Sequence, residues 1–275
     1  MAINQFKICA KGSRKIDQDF LNETEALLKL ANCIEIDFNF PHDTGFKKEI
    51  KYLEELHKNK KVNFTAHAQY LNGSLNDYNQ KIRKETIREI LNSIDLAQKI
   101  GAKIMTLHPA LEPYGLKTKK RINLEINAYQ IIADYAVKKN MNIGLENEAQ
   151  TCFWFPDRAC KINLIIDTIK KVNRKNFGLT LDIGHANISG EDYIKALNKY
   201  HNKILHIHAH DNFGNPEKNL KKCKRPDPHL PPGKGVIDWR GVMKTLRKIK
   251  YKKYFELECE ISEIEKAIKY INTIK

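Results

Sequence analysis

No stretch of eighteen apolar residues occurs in this 275-residue chain, so no membrane span is expected. The opening residues, MAINQFKICAKGS, run straight into a strand-like segment without the apolar core of a secretion signal, and a cytoplasmic protein is expected. The six cysteines contain no Cys-x-x-Cys pair, so reduced and mostly buried thiols are expected. There is no phosphate-binding loop and no Gly-x-Gly-x-x-Gly after a strand, so nothing points to a nucleotide cofactor. No linker or low-complexity segment divides the chain, and one domain spanning 1–275 is expected.

Basic residues are not scarce. Lys and Arg number 48 against 33 Asp and Glu, a net charge of +15. Such a balance suits a polyanion or a phosphorylated metabolite, although the lysines are spread over every amphipathic segment rather than gathered in one block.

Apolar runs of strand length alternate eight times with segments of helical period. The strand candidates are 6–10, 34–38, 62–66, 103–107, 142–146, 178–182, 204–208 and 254–258. The helical segments are 17–31, 46–59, 79–100, 120–139, 160–172, 190–200, 239–249 and 261–274. Near-continuous apolar strands are those covered on both faces, and eight such units close most naturally into an eight-stranded parallel (β/α)8 barrel of the α/β class.

The ends of these strands carry the chemistry. They finish at His67, at His108-Pro109, at Glu146-Asn147-Glu148, at Asp182 with His185 three residues on, at His208, and at Glu258. A barrel gathers the C-terminal ends of its strands at one mouth, so six strands deliver His, Asp or Glu to the same place. In the seventh strand His206, His208 and His210 share one face by the two-residue period, and Asp211 follows at once. Asp227-x-His229 comes shortly after. Neutral imidazoles mixed with carboxylates suit a divalent ion such as Zn, Mn or Co. Glu35 ends the core of the second strand, where a mouth-facing and a purely structural carboxylate are both open readings. Lys11-Gly12-Ser13 and Arg14 give only a weak phosphate-binding signal and stay outside the expected site.

With these pieces in hand, the chain resembles the xylose-isomerase-like barrel superfamily. The superfamily holds sugar isomerases and epimerases as well as abasic-site endonucleases of the endonuclease IV type. The segments that carry the resemblance are TAHAQYL at 65–71, LHPA around His108, GLENE around Glu146, LDIGH at 181–185, HIHAHDN at 206–212 and DPHLPPGKGVIDW at 227–239. The isomerase branch implies one divalent metal held by Glu146, Asp182, His208 and Glu258. In that branch the two glutamates also exchange the substrate proton through an enediolate, and His185 binds a substrate oxygen. The endonuclease branch implies a tri-zinc site on nine ligands, all matched by type: His67, His108, Glu146, Asp182, His185, His208, Asp227, His229 and Glu258. Between one and three metal ions per chain are thus implied. Tyr70, His210, Trp154 and Lys234 are the expected substrate-binding residues.

The wording departs from the endonuclease pattern at Asp182-Ile183-Gly184-His185, where that branch usually has DTCH, and at Pro232-Gly233-Lys234-Gly235. A basic insertion at 215–226, with Lys218, Lys221, Lys222, Lys224 and Arg225, departs from both branches. It reads either as a solvated loop or as a lid that grips phosphate. The first reading is therefore a metal-dependent isomerase or epimerase acting on a small sugar or sugar phosphate. The alternative is an abasic-site endonuclease, with DNA as partner, and the lesser alternative is a barrel that binds metal and sugar without turnover. No membrane partner is expected, and the oligomeric state is left open.

Overall fold

The computed structural model describes residues 6–12, 19–38, 47–60, 62–69, 74–110, 118–150, 157–215 and 227–274. Eight parallel strands close into a barrel in sequence order: β1 Lys7–Lys11, β2 Cys33–Asp37, β3 Asn63–His67, β4 Ile104–Leu107, β5 Asn142–Glu146, β6 Phe177–Asp182, β7 Ile204–Ala209 and β8 Tyr254–Leu257. Strand β8 pairs back onto β1, with Lys7 opposite Tyr254 and Ala10 opposite Leu257.

Ten α-helices among the described residues clothe the barrel: α1 Phe20–Leu28, α2 Lys47–Lys60, α3 Gln80–Lys99, α4 Lys119–Lys138, α5 Asp157–Cys160, α6 Ile162–Val172, α7 Ile183–Ile188, α8 Tyr193–Tyr200, α9 Trp239–Lys248 and α10 Ile264–Thr273. At several of their starts a side chain accepts an orphaned backbone N–H group. Asn79 accepts from Lys81, Thr118 from Arg121, Asp192 from Lys195 and Asp238 from Gly241. At the other end α6 stops at Asn173, which takes up the left-handed conformation at φ 51°. No helix among the described residues is long and apolar enough to cross a membrane.

The two faces of each strand differ sharply. Outward residues such as Ile34, Ile36, Phe64, Met105, Leu107, Leu145, Leu179, Leu181, Ile207, Phe255 and Leu257 are buried against the helices and form the main core. The barrel interior is polar instead. Cys9 Sγ lies 3.5 Å from Thr65 Oγ1, Thr65 donates to Glu35 at 3.2 Å, and Thr106 meets Thr180 at 3.2 Å. Gly144 leaves room for this layer, because a Cβ there would strike the Thr180 hydroxyl. Every charge inside must therefore find a partner inside.

One irregularity sets the site. Between β6 and β7 the register shifts, so Leu179 pairs with Ile204 but Thr180 pairs with His206 and Asp182 with His208. Unbroken pairing would put Asp182 opposite Ile207, with the side chains on opposite faces. The extra residue, Leu205, brings the histidine face of β7 level with the acidic end of β6.

The sequence-based boundaries agree with the structure to within a few residues for all eight strands. Two differences matter. Helix α7 begins immediately after β6, in a stretch read from sequence as connection. The last strand ends at Leu257, one residue before Glu258, whose N–H still bonds to Ala209 O at 3.1 Å.

Candidate active site at the barrel mouth

Glu146 is the hub of the mouth. Its Oε2 lies 3.1 Å from His108 Nε2 and 3.5 Å from His67 Nε2, while its Oε1 lies 2.9 Å from His208 Nδ1. The two imidazoles approach each other at 3.1 Å through their Nε2 atoms. Each has its other nitrogen committed: His67 Nδ1 donates to Ala68 O at 2.8 Å, and His108 Nδ1 lies 2.8 Å from Glu148 Oε1. Two Nε2 lone pairs and a carboxylate oxygen converging in this way repel unless a cation or a shared proton sits among them. The spacing is close to the donor separation of about 3.3 Å around a small four-coordinate ion.

A second set shares Glu146. One donor atom from each of Glu146, Asp182, His208 and Glu258 lies within 4.8 Å of the others, and all four residues are buried. His208 Nδ1 is 3.3 Å from Glu258 Oε2. Asp182 caps α7 through Oδ1, which accepts from His185 N at 2.6 Å, while its Oδ2 is buried without a hydrogen bond. Asn147 holds the strand end in place, exchanging hydrogen bonds of 2.9 Å with Asp182 N and O.

The third set centres on Asp227. His185 Nε2 lies 3.1 Å and His229 Nε2 3.0 Å from its Oδ2, and His210 Nδ1 lies 3.5 Å from its Oδ1. Here too the far nitrogens are fixed. His185 Nδ1 donates to Asn147 O at 2.9 Å, and His229 Nδ1 to Glu258 O at 3.1 Å. His229 stacks on His210 with ring centres 4.1 Å apart and holds a left-handed backbone at φ 47°, which a non-glycine residue adopts only when its surroundings compel it. Gly184 makes the set possible, since a Cβ there would run into the His210 ring. The Gly in Asp182-Ile183-Gly184-His185 is thus a packing requirement of His210.

Charge follows this geometry. Burial works against an imidazolium at His108, but Glu148 and Glu146 outweigh it and raise its pKa from 6.5 to about 10. Burial is likewise outweighed at His210 by Asp182 and Asp227, giving about 9. His208 is lifted well above the ordinary range against its burial by Glu256, Glu146 and Glu35, and His185 by Asp182 and Asp227. The carboxylates answer in the opposite sense. Burial would raise Glu146, yet His208, His108 and His67 hold it well below the usual value; Lys11, His229 and His208 do the same for Glu258. A metal-free mouth thus holds protons where a divalent ion would hold charge.

All nine residues expected as ligands reach the mouth, and the structure distributes them over these three sets. His210, expected to touch substrate, is fully buried inside the third set. Lys234 is exposed in the turn before Ile237. Tyr70, Trp154, Arg14 and residues 216–226 of the basic insertion lie outside the described residues. Asp211 is not among the clustered donors. Its carboxylate accepts from Asn212 N, Gly233 N, Ile237 N and Trp239 Nε1 at 2.9 to 3.2 Å, so the His-Asp-Asn and Gly-x-Gly-Val-Ile-Asp-Trp segments form one structural clasp.

Sequence reasoning left Lys11 outside the site and Glu35 undecided, and it assigned Glu256 no role. All three are buried in the barrel interior. Lys11 Nζ lies 3.1 Å from Glu35 Oε1, 3.4 Å from Glu258 Oε1 and 3.8 Å from Glu256 Oε1. The two-residue period of β1 and β8 places Lys11 and Glu256 on the same faces as Cys9 and Glu258, and that was the available signal.

Comparison with known proteins bears on the fold and the family. An uncharacterized protein of Methanocaldococcus jannaschii, MJ1311, is 27% identical over 219 residues, covering 77% of this chain and 69% of its own. An inosose dehydratase of Geobacillus thermodenitrificans is 25% identical over 196 residues, 64% of each chain. The crystal structure of a D-tagatose 3-epimerase-like protein superposes with a TM-score of 0.83 over 98% of both chains at 23% identity, a likeness of fold. The family model described as xylose isomerase-like TIM barrel matches residues 27–274, and the chain therefore belongs to that family.

Proposed function

We propose that this protein is a divalent-metal-dependent isomerase or epimerase of a small sugar or sugar phosphate. The observation that carries the reading is the set Glu146, Asp182, His208 and Glu258, in which two buried glutamates flank one imidazole nitrogen. The likeness to an inosose dehydratase and to a D-tagatose 3-epimerase-like protein supports a carbohydrate substrate.

The four residues would hold the ion, which when bound supplies a positive charge that polarises a substrate carbonyl and hydroxyl. The remaining work falls to the chain. Glu146 and Glu258 would take and return the proton at a carbon beside the carbonyl, passing through an enediolate. Both carboxyls are held in the ionised form, which a proton acceptor requires. His185, fixed at Nδ1 by Asn147 O, would offer Nε2 to a substrate oxygen. The polar, enclosed interior beneath them limits water access on one side. Lys234 and the basic residues of the insertion would suit a phosphorylated substrate.

A second reading is favoured by one observation. The mouth donors fall into three sets, two of which share Glu146, matching in number the tri-zinc arrangement of the endonuclease IV type, and the net charge of +15 suits a DNA backbone. One experiment separates the readings. Metal-loaded protein and Glu146→Gln are incubated in deuterated water with ketoses and ketose phosphates, and separately with a duplex carrying one abasic site. Deuterium entering the sugar, lost in the variant, supports the isomerase. Metal-dependent nicking without exchange supports the nuclease, and neither activity with metal bound supports a barrel that only binds.

A further inference from the structure

We infer that Glu35, His206 and Glu256, braced by Lys11, form an orienting layer beneath the mouth that fixes the ring of His208 and keeps a proton on its Nε2. The inference rests on the reading of His208 as a metal ligand through Nδ1. An imidazole can offer one lone pair only if its other nitrogen carries the hydrogen, and that hydrogen needs an acceptor.

His208 meets this condition. Its Nδ1 faces Glu146 and Glu258, and its Nε2 faces Glu256 Oε2 at 3.2 Å, Thr106 Oγ1 at 3.4 Å and Glu35 Oε2 at 3.5 Å. The acceptors are themselves held. His206 Nε2 lies 3.1 Å from Glu256 Oε2 and 3.2 Å from Glu35 Oε2, while Lys11 engages the outer oxygens of both. Donor and acceptor groups therefore alternate along Lys11, Glu35, His206, Glu256 and His208. The last four are wholly buried and Lys11 nearly so. Both carboxylates lie too deep for substrate to reach, so they are positioning residues.

The same four donors, Glu35, His206, His208 and Glu256, lie within 4.8 Å of one another and would also accommodate an ion. Two features argue for orientation instead. Lys11 already supplies a full positive charge to both carboxylates, and an ion here would require His208 to give up both ring nitrogens at once.

The test is a cobalt titration of chelator-treated protein, followed by visible absorption, with dissociation constants from competition with a chelator. Wild type is compared with Glu256→Leu, which removes the acceptor, and Glu256→Gln, which keeps an oxygen there. The expected result is affinity weakened roughly 10- to 100-fold and an altered cobalt spectrum in Glu256→Leu, largely recovered in Glu256→Gln, with the number of bound ions unchanged. Unchanged affinity and spectrum, with only the metal-free melting temperature lowered, would overturn the orienting role. Loss of one whole equivalent of cobalt would overturn it in favour of a deep metal site. Absence of cobalt binding by wild type would instead refute the metal-site reading on which the inference depends. If Glu256→Leu does not fold, nitrogen-15 histidine spectra of the zinc-loaded wild type decide. An Nε2–H tautomer at His208 is expected, and an Nδ1–H tautomer contradicts the inference.

Discussion

At the scale of single residues the decisive feature is that Glu146 belongs to two donor sets at once. Glu146→Gln keeps the shape and removes the charge that holds His67, His108 and His208 together. Turnover in Glu146→Gln and in Glu258→Gln is expected to fall by about 10²- to 10⁴-fold, the usual loss when a proton-transfer group is removed. Steady-state rates of the metal-loaded variants check this, and near-wild-type rates in both would refute the site. Gly184 offers a subtler probe. Gly184→Ala drives a methyl group into His210, so a cost of about 1–3 kcal/mol is expected, together with loosened metal binding at the Asp227 set. Chemical denaturation measures the first and metal analysis the second.

At the scale of elements, the short segments after the strands are held by buried polar anchors. Glu125 in α4 is the clearest. It accepts from Ala110 N at 3.1 Å and contacts Tyr129 and Arg158, tying the segment after His108 to α5. Removing it takes an ion-pair partner from the buried Arg158. Glu125→Leu is expected to cost about 3–5 kcal/mol and to weaken metal retention at His108, read by urea melts and metal content. An effect below about 1 kcal/mol would show that the anchor is dispensable.

The alternation of eight strands and helices was legible because period and length differ plainly between the two element types, and the six strand-terminal ligands followed from where a barrel ends its strands. The layer beneath was not legible in the same way. Glu35 and His206 meet across the barrel although 171 positions separate them, and no local pattern reports such a contact. Helix α7 escaped notice because its six residues are shorter than two helical turns. The shift at Leu205 aligns β7 with β6 through pairing alone, which composition does not encode.

At the scale of the whole molecule, the barrel stores opposite charges in one enclosed volume, and its stability must depend on pH and metal together. His108 and His210 titrate at about 10 and about 9 in the folded metal-free protein against 6.5 for an ordinary histidine. Their contribution is complete below pH 6.5 and is lost as pH rises through those folded values. Glu146, Glu258 and Asp227 are depressed well below their ordinary 4.5 and 3.8, so their contribution is present above those values and lost as pH falls through the depressed ones. The metal-free protein is therefore expected to be most stable between about pH 4.5 and 6.5. A divalent ion needs the same donors without protons, so loading should release protons and move the optimum upward. Melting temperatures across pH, with and without zinc, test this, and an optimum that metal leaves unmoved would contradict it.

The central claim is that the mouth binds a divalent ion and moves a proton on a sugar. It is tested most directly by deuterium exchange into ketoses and ketose phosphates, followed by nuclear magnetic resonance, with metal-loaded wild type beside Glu146→Gln. Exchange at a carbon adjacent to the carbonyl, dependent on metal and absent from the variant, is the predicted result. Exchange that persists in Glu146→Gln, or none from any such sugar while the same preparation nicks an abasic duplex, would contradict the claim.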